Sequence, residues 1–419
     1  MKILIVACIL VLSSQVIADT QVFIFAGQSN ISWNIKPTDF NNYQNGAFKD
    51  WLDSQNNDVL YTYERHLTGG VDESNGWIPL DTVLNVGQSH PSHERIGQEH
   101  IFAWRVTEYL RSQGIDDQLA IIKTQKSASS IASQWNPGGR DLKPLVSSSS
   151  YSEGYMHDAL INRVATSLSD LNDPYTVDGF VWWQGEGDIP VKLWSEYYRL
   201  WLDDLTTGWS PRTEWWDLDE DVNPDYSGIP EDDVADYNVG LRELTGFNFP
   251  VLLTRISWNI EGSWGDRSTW EPGLINVRNA MDDFAADDSY NSISVDIDDL
   301  PLADGLHYAS QEYIEVGERY AWEYLREKYN ILEGDTNFDG IVDVSDLALV
   351  GNQWGTTGNW PFNPDLNSDG FIDVADLALV GKDWDQGGLV SLNLIPSPVS
   401  SISGLIAVIV ISARRKYKL

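Results

Sequence analysis

Cysteine is almost absent: the chain of 419 residues has one, Cys8. A disulfide framework and a thiolate zinc site within one chain are thereby excluded. Basic residues are also scarce, 27 Lys and Arg against 63 Asp and Glu, for a formal charge of −36. Such a charge repels phosphate backbones, and the one basic cluster, Arg414, Arg415, Lys416 and Lys418, lies at the extreme C-terminus, which argues against nucleic acid as a partner. Long apolar runs are confined to the two ends. What is present is 42% hydrophobic residues, enough to exclude wholesale disorder, and a length that suits two or three folding units at roughly one per 150 residues.

The apolar ends read as addresses. Lys2, the run Ile3 to Leu12 and the small-residue ending Val16-Ile17-Ala18 fit a signal peptide over 1–18, so export is expected. The last 25 residues read Ile395-Pro396-Ser397-Pro398, an apolar stretch from Val399 to Ala413, then the basic cluster. This tail over 395–419 resembles a PEP-CTERM sorting signal, with Ser397 where that signal has Glu. The resemblance implies membrane association before processing and a secreted or envelope-attached product.

Ahead of a short linker at 387–394 comes an internal repeat. Asp335-Thr336-Asn337-Phe338-Asp339-Gly340-Ile341-Val342-Asp343 leads to Asp346-Leu347-Ala348-Leu349-Val350-Gly351, and the pattern recurs thirty residues later from Asp365 to Gly381. Oxygen ligands at loop positions 1, 3, 5, 9 and 12, a Gly at 6 for the sharp turn and a backbone carbonyl at 7 suit the hard Ca²⁺ ion. The first set is Asp335, Asn337, Asp339, Ile341, Asp343 and Asp346; the second is Asp365, Asn367, Asp369, Phe371, Asp373 and Asp376. Each loop runs into a helix with an apolar face. The repeat resembles a dockerin type I module over 334–386. By that resemblance it is a small all-α unit that holds two Ca²⁺ and binds a cohesin-type domain.

Residues 19–330 form the large unit. Apolar runs at 22–26, 119–123, 179–183, 250–256 and 292–295 alternate with helical patterns at 99–113, 158–171 and 311–329, the signature of an α/β parallel sheet covered on both faces. Chemistry in such sheets gathers at the carboxyl ends of strands. Those ends carry Gly27-Gln28-Ser29-Asn30, Gln184-Gly185-Glu186-Gly187-Asp188 and Asp304-Gly305-Leu306-His307. A serine becomes a nucleophile beside a base, and the base needs an anion to fix its tautomer. Asp304 and His307, one turn apart, supply both.

These blocks, with Gly97-Gln98-Glu99, Trp135-Asn136-Pro137 and Asp298-Asp299-Leu300-Pro301, resemble the SGNH hydrolases of the carbohydrate esterase family 6 and sialate O-acetylesterase-like branch. The resemblance implies a three-layer α/β/α flavodoxin-like domain. It makes Ser29 the nucleophile, His307 the general base and then acid, and Asp304 its orienting anion. It assigns the oxyanion to the Ser29 N–H, the Gln184 side-chain amide and a third donor at Ser127, where Lys126-Ser127-Ala128-Ser129-Ser130 replaces a glycine-rich segment. No cofactor is expected for catalysis. His66, His90, His93, His100 and His157 read as structural or surface residues. Glu186 and Asp188 read as support for the Gln184 loop, being too close together for a glycosidase pair. Between Asp188 and Asp236, Trp194, Trp201, Trp209, Trp215 and Trp216 read equally as a sugar-facing cap or a plain hydrophobic one.

The expectation is an exported serine esterase that removes O-acetyl groups from carbohydrate, xylan or sialylated glycan alike. A catalytically silent carbohydrate-binding or scaffold-displayed module is the alternative, resting on the missing glycine near Ser127 and the Trp-rich insert.

Overall fold

The computed structural model describes residues 20–32, 34–54, 58–67, 69–80, 95–135, 154–190, 195–208, 239–262, 264–337, 340–356, 364, 366 and 371–385. The expected signal peptide at 1–18, residues 387–419 with the expected sorting tail, His90, His93, Asn136, Pro137, Trp194, Trp209, Trp215, Trp216, Asp339, Asp365, Asn367 and Asp369 lie outside the described residues.

Among the described residues, eight strands make one sheet: β1 (Thr20–Gly27), β2 (Val59–Leu67), β3 (Gly70–Glu73), β4 (Ile78–Pro79), β5 (Gln118–Lys126), β6 (Tyr175–Trp183), β7 (Val251–Thr254) and β8 (Ser292–Val295). Their order is β3-β2-β5-β1-β6-β7-β8, with β4 also on β2. The pairs β2/β5, β5/β1, β1/β6, β6/β7 and β7/β8 are parallel; β3 and β4 run antiparallel to β2. The strands expected from sequence, taken in chain order, thus lie 2-1-3-4-5, the flavodoxin-like order, with the switch point at β1. β2 is an addition to the strands expected from sequence, since it has no continuous apolar run. Its sequence Val59-Leu60-Tyr61-Thr62-Tyr63-Glu64-Arg65-His66-Leu67 ends in charged groups, because it lies toward the sheet edge, where only part of each face is covered.

The helices are α1 (Pro37–Phe40), α2 (Ala47–Ser54), α3 (Gln98–Ser112), α4 (Tyr155–Ser169), α5 (Ser195–Thr207), α6 (Leu241–Thr245), α7 (Arg267–Ala286), α8 (Ser310–Tyr329), α9 (Val344–Asn352) and α10 (Val374–Lys382). Alternation along β1 sets the layers. Phe23 and Phe25 point into a core shared with α3 and α8, whereas Val22, Ile24 and Ala26 point into one shared with α4, α5 and α7. All five are fully buried, and each of the larger ones stabilises the fold by roughly 1.5–3 kcal/mol. Phe23 meets Phe102 of α3 and Tyr324 of α8 edge to face, both at 4.8 Å between centroids. Helix α7 had no sequence expectation, and its Pro272 and Gly273 explain why. Glycine is required there because a Cβ on Gly273 would lie 2.0 Å from the Ile189 carbonyl oxygen.

The C-terminal repeat forms α9 and α10. Asp343 and Asp373 cap them by accepting hydrogen bonds from Ser345 N and Ala375 N. Val342, Val350, Ile372 and Val380 close a small core between the two halves. Glu333 ties this unit to the large one, pairing with Arg326 of α8 at 3.2 Å and with Lys382 of α10 at 2.9 Å. Among the described residues, no helix is long and apolar enough to cross a membrane.

Candidate active site

The sheet delivers its chemistry at the β1 switch point. Gly27 closes β1 with φ +150, and a Cβ there would sit 2.0 Å from the Trp183 carbonyl oxygen of β6, so only glycine lets the two strand ends approach. The chain then turns into a single 3₁₀ turn, Ser29–Ile31, which lifts Ser29 to the surface while Asn30 and Ile31 stay buried.

The structure brings three predicted residues together. His307 Nε2 lies 3.0 Å from Ser29 Oγ, and His307 Nδ1 lies 3.0 Å from Asp304 Oδ2. The other Asp304 oxygen accepts the backbone N–H groups of His307 at 2.7 Å and Leu306 at 3.0 Å. Burial pushes the Asp304 carboxyl up, but these donors and the imidazole outweigh it and hold the group below its ordinary value. An ionised Asp304 fixes the proton on Nδ1, which leaves Nε2 as an acceptor for the Ser29 hydroxyl. His307 is 36% and Asp304 60% exposed at the side chain, so the row faces solvent and is reachable by a large substrate.

Behind Ser29 lies a buried clamp. Glu186, 2% exposed, accepts from the side-chain amides of both residues flanking the serine, Gln28 and Asn30, and from Trp183 Nε1 at 3.1 Å. Asn30 Nδ2 also donates to the Leu306 carbonyl at 3.2 Å, its Oδ1 accepts from Tyr313 at 2.7 Å, and its carbonyl accepts from Gln98 at 2.7 Å. Glu186 therefore ties the serine turn to the end of β6, and Asn30 ties that turn to the histidine loop. The sequence signal was the spacing of Gln28 and Asn30 about Ser29, which puts two amides on either side of one buried carboxylate.

Gln184 is held by partners other than Ser29. Its side chain is fully buried, and Nε2 donates to Asp188 Oδ2 at 2.6 Å and to the Ser129 carbonyl at 3.2 Å. Both amide hydrogens are thus engaged away from Ser29, so the side chain is not a free oxyanion donor. Asp188 gathers this amide with the backbone N–H groups of Ile131 at 3.0 Å and Ala132 at 3.1 Å, while burial pushes its carboxyl up to about 6. The result locks the turn after β5 against the turn after β6.

In that turn Ser127 is exposed, and the residue in the left-handed region is its neighbour Ala128, at φ 54. An L-residue with a Cβ pays for this conformation. Ala128→Gly is expected to stabilise the protein by about 1 kcal/mol, measured as a higher midpoint in denaturant; a lower midpoint would contradict the strain argument.

The remaining predicted groups fall elsewhere. His100 is buried beside Glu99, His157 is buried on α4, and His66 pairs with Glu64 at 2.6 Å. Trp201 is 2% exposed in the core with α7, so this member of the Trp-rich segment is packing, not a sugar face. In the first repeat loop, Asp335 and Asp346 are buried. Asp335 accepts from Gly340 N at 2.8 Å, and Asp346 accepts from the N–H groups of Thr336, Asn337 and Asp343 at 2.7, 3.2 and 2.8 Å. Gly340 takes φ +85, as position 6 requires. The donors are all oxygen, which suits Ca²⁺. Among the described residues no three acidic, His or Cys side chains converge on one point.

A family profile described as "Carbohydrate esterase, sialic acid-specific acetylesterase" matches residues 19–213, and one described as "Dockerin type I domain" matches residues 333–383. A search of curated proteins finds no match. Among solved structures, the chain is similar to a protein from Arabidopsis thaliana, at 17% identity over 73% of this chain and 97% of that one, with TM-score 0.41. It is also similar to a carbohydrate acetylesterase from Xanthomonas citri, at 14% identity over 74% of this chain and 57% of that one, TM-score 0.42. A third is a carbohydrate acetylesterase from Sinorhizobium meliloti, at 12% identity over 72% and 97%, TM-score 0.34.

Proposed function

We propose that this chain, whose carbohydrate esterase domain makes it a hydrolase of ester bonds, is an exported serine esterase that removes O-acetyl groups from a glycan through an acyl-enzyme on Ser29. The observation that carries this reading is the continuous row Asp304–His307–Ser29, with both links at 3.0 Å. His307 Nε2 takes the hydroxyl proton as Ser29 Oγ attacks the acetyl carbonyl carbon. The imidazolium is stabilised by Asp304 and returns the proton to the departing sugar hydroxyl. Water activated by the same imidazole then releases acetate and restores Ser29. Backbone N–H groups at Ser29 and Ser127 are the proposed oxyanion donors, since Gln184 is engaged elsewhere. Acetate release from acetylated xylan, acetylated sialosides and p-nitrophenyl acetate tests the assignment.

The dockerin type I domain implies calcium binding, and its place beside an esterase supports an extracellular enzyme carried to a cohesin-type partner. Two Ca²⁺ ions are proposed, one per loop, held by the oxygen sets beginning at Asp335 and Asp365; bound Ca²⁺ supplies the positive charge that keeps clustered carboxylates together. Removing Ca²⁺ with EDTA is expected to expose residues 334–386 to protease while acetate release persists, because no ligand set overlaps the serine site. Parallel loss of turnover and of the module, restored together by Ca²⁺, would contradict two separable units.

A further inference from the structure

One aromatic ring in the described part of the esterase unit stands out in water. Trp258 is 40% exposed, and the other large apolar side chains exposed to that degree in this unit are the aliphatic Val71 and Ile275. Trp258 sits in the turn after β7, at the same carboxyl edge of the sheet as Ser29. Its loop is fastened to the histidine loop: Glu261 N donates to the Gly305 carbonyl at 2.8 Å.

The turn is also fixed from behind. Asp298 accepts the Trp258 N–H at 2.6 Å and is itself clasped by both Arg278 amino groups at 2.8 and 2.7 Å. Asn259 Nδ2 donates to the Asp298 carbonyl at 2.7 Å, and Arg267 donates to the Trp258 carbonyl at 3.2 Å. These bonds fix the backbone of Trp258, and its indole is flanked by Arg278 and Arg267, whose guanidinium carbons lie 5.4 and 5.6 Å from the ring centroid, so the exposed ring has little conformational freedom left to lose on binding. Its apolar face complements the C–H face of a pyranose, while Arg267, Asn259 and Glu261 around it, all exposed, match the ring hydroxyls.

We infer that Trp258 is a sugar-stacking subsite that positions the pyranose ring next to the acetylated residue. The inference rests on the esterase reading, because the leaving group of that reaction is a sugar hydroxyl and the chain beyond it is carbohydrate.

The full protein and its Trp258→Ala and Trp258→Tyr variants should be compared on acetylated xylo-oligosaccharide and on p-nitrophenyl acetate, which has no pyranose. Trp258→Ala is expected to lower kcat/KM on the oligosaccharide about tenfold, mainly through KM, and Trp258→Tyr to recover most of the loss. Hydrolysis of p-nitrophenyl acetate should stay within about twofold. Equal losses on both substrates, or no change on either, overturn the subsite. Wild-type protein that cleaves no acetylated sugar overturns the esterase reading, and the subsite with it.

Discussion

Ser29→Ala and His307→Ala are each expected to abolish turnover, with losses of about 10⁴- to 10⁶-fold in rate, and Asp304→Asn is expected to retain a measurable remainder. In the proposed mechanism the three act as one unit, so the nucleophile and the base are equally indispensable. Without Oγ there is no atom to acylate, and without the imidazole the hydroxyl keeps its proton. Asp304 contributes less because its carboxylate orients and stabilises the imidazole but never touches the acetyl group. Asn at 304 can still accept backbone hydrogen bonds of the kind made by His307 and Leu306, so the loop is preserved while the charge that favours the imidazolium is gone. Steady-state acetate release on folded variants checks the order. A Ser29→Ala protein with a near wild-type rate would place the nucleophile elsewhere.

Lys123→Met is the substitution expected to destabilise most. Lys123 on β5 and Glu99 in the first turn of α3 are both fully buried and lie 2.7 Å apart, with Tyr61 donating to the same carboxylate at 3.0 Å. Removing the ammonium leaves a buried carboxylate short of its main partner, a loss of about 3–5 kcal/mol. Burial pushes the Glu99 carboxyl up, but Lys123 and then His100 outweigh it and hold the group at about 2. A carboxylate with a depressed value in the folded state contributes stability above its unfolded value of 4.5 and loses that contribution as pH falls toward about 2. The wild type should therefore lose stability on acidification across this window. In Lys123→Met burial acts with less opposition, the Glu99 value rises, and this part of the pH dependence weakens or reverses. Pairing Lys123→Met with Glu99→Gln should recover part of the loss. Denaturant midpoints for the wild type, Lys123→Met, Glu99→Gln and the paired variant between pH 3 and 7 measure both effects, and a Lys123→Met protein as stable as wild type would show that the ion pair is dispensable.

Sequence pattern made the middle of the sheet legible and its edge illegible. β1, β5 and β6 are apolar on both faces because helices cover both, so their runs are continuous; β2 carries Glu64, Arg65 and His66 because its surroundings are partly wet. The same limit applies to the site. Ser29, Asp304 and His307 could be placed because each follows a strand or shares one turn, a relation local in sequence. The direction of the Gln184 amide depends on Asp188 and on the Ser129 carbonyl in another loop, and no local pattern encodes that choice. Ala128 was hidden for a similar reason: the tertiary closure of the β5 turn, not propensity, imposes its positive φ.

Whether Ser29 carries the acetyl group is decided by acetate release from a panel of acetylated glycans and p-nitrophenyl acetate, wild type beside Ser29→Ala at matched concentration. The wild type should release acetate and the variant none above background. No release by the wild type from any substrate, or equal release by both proteins, would contradict that role.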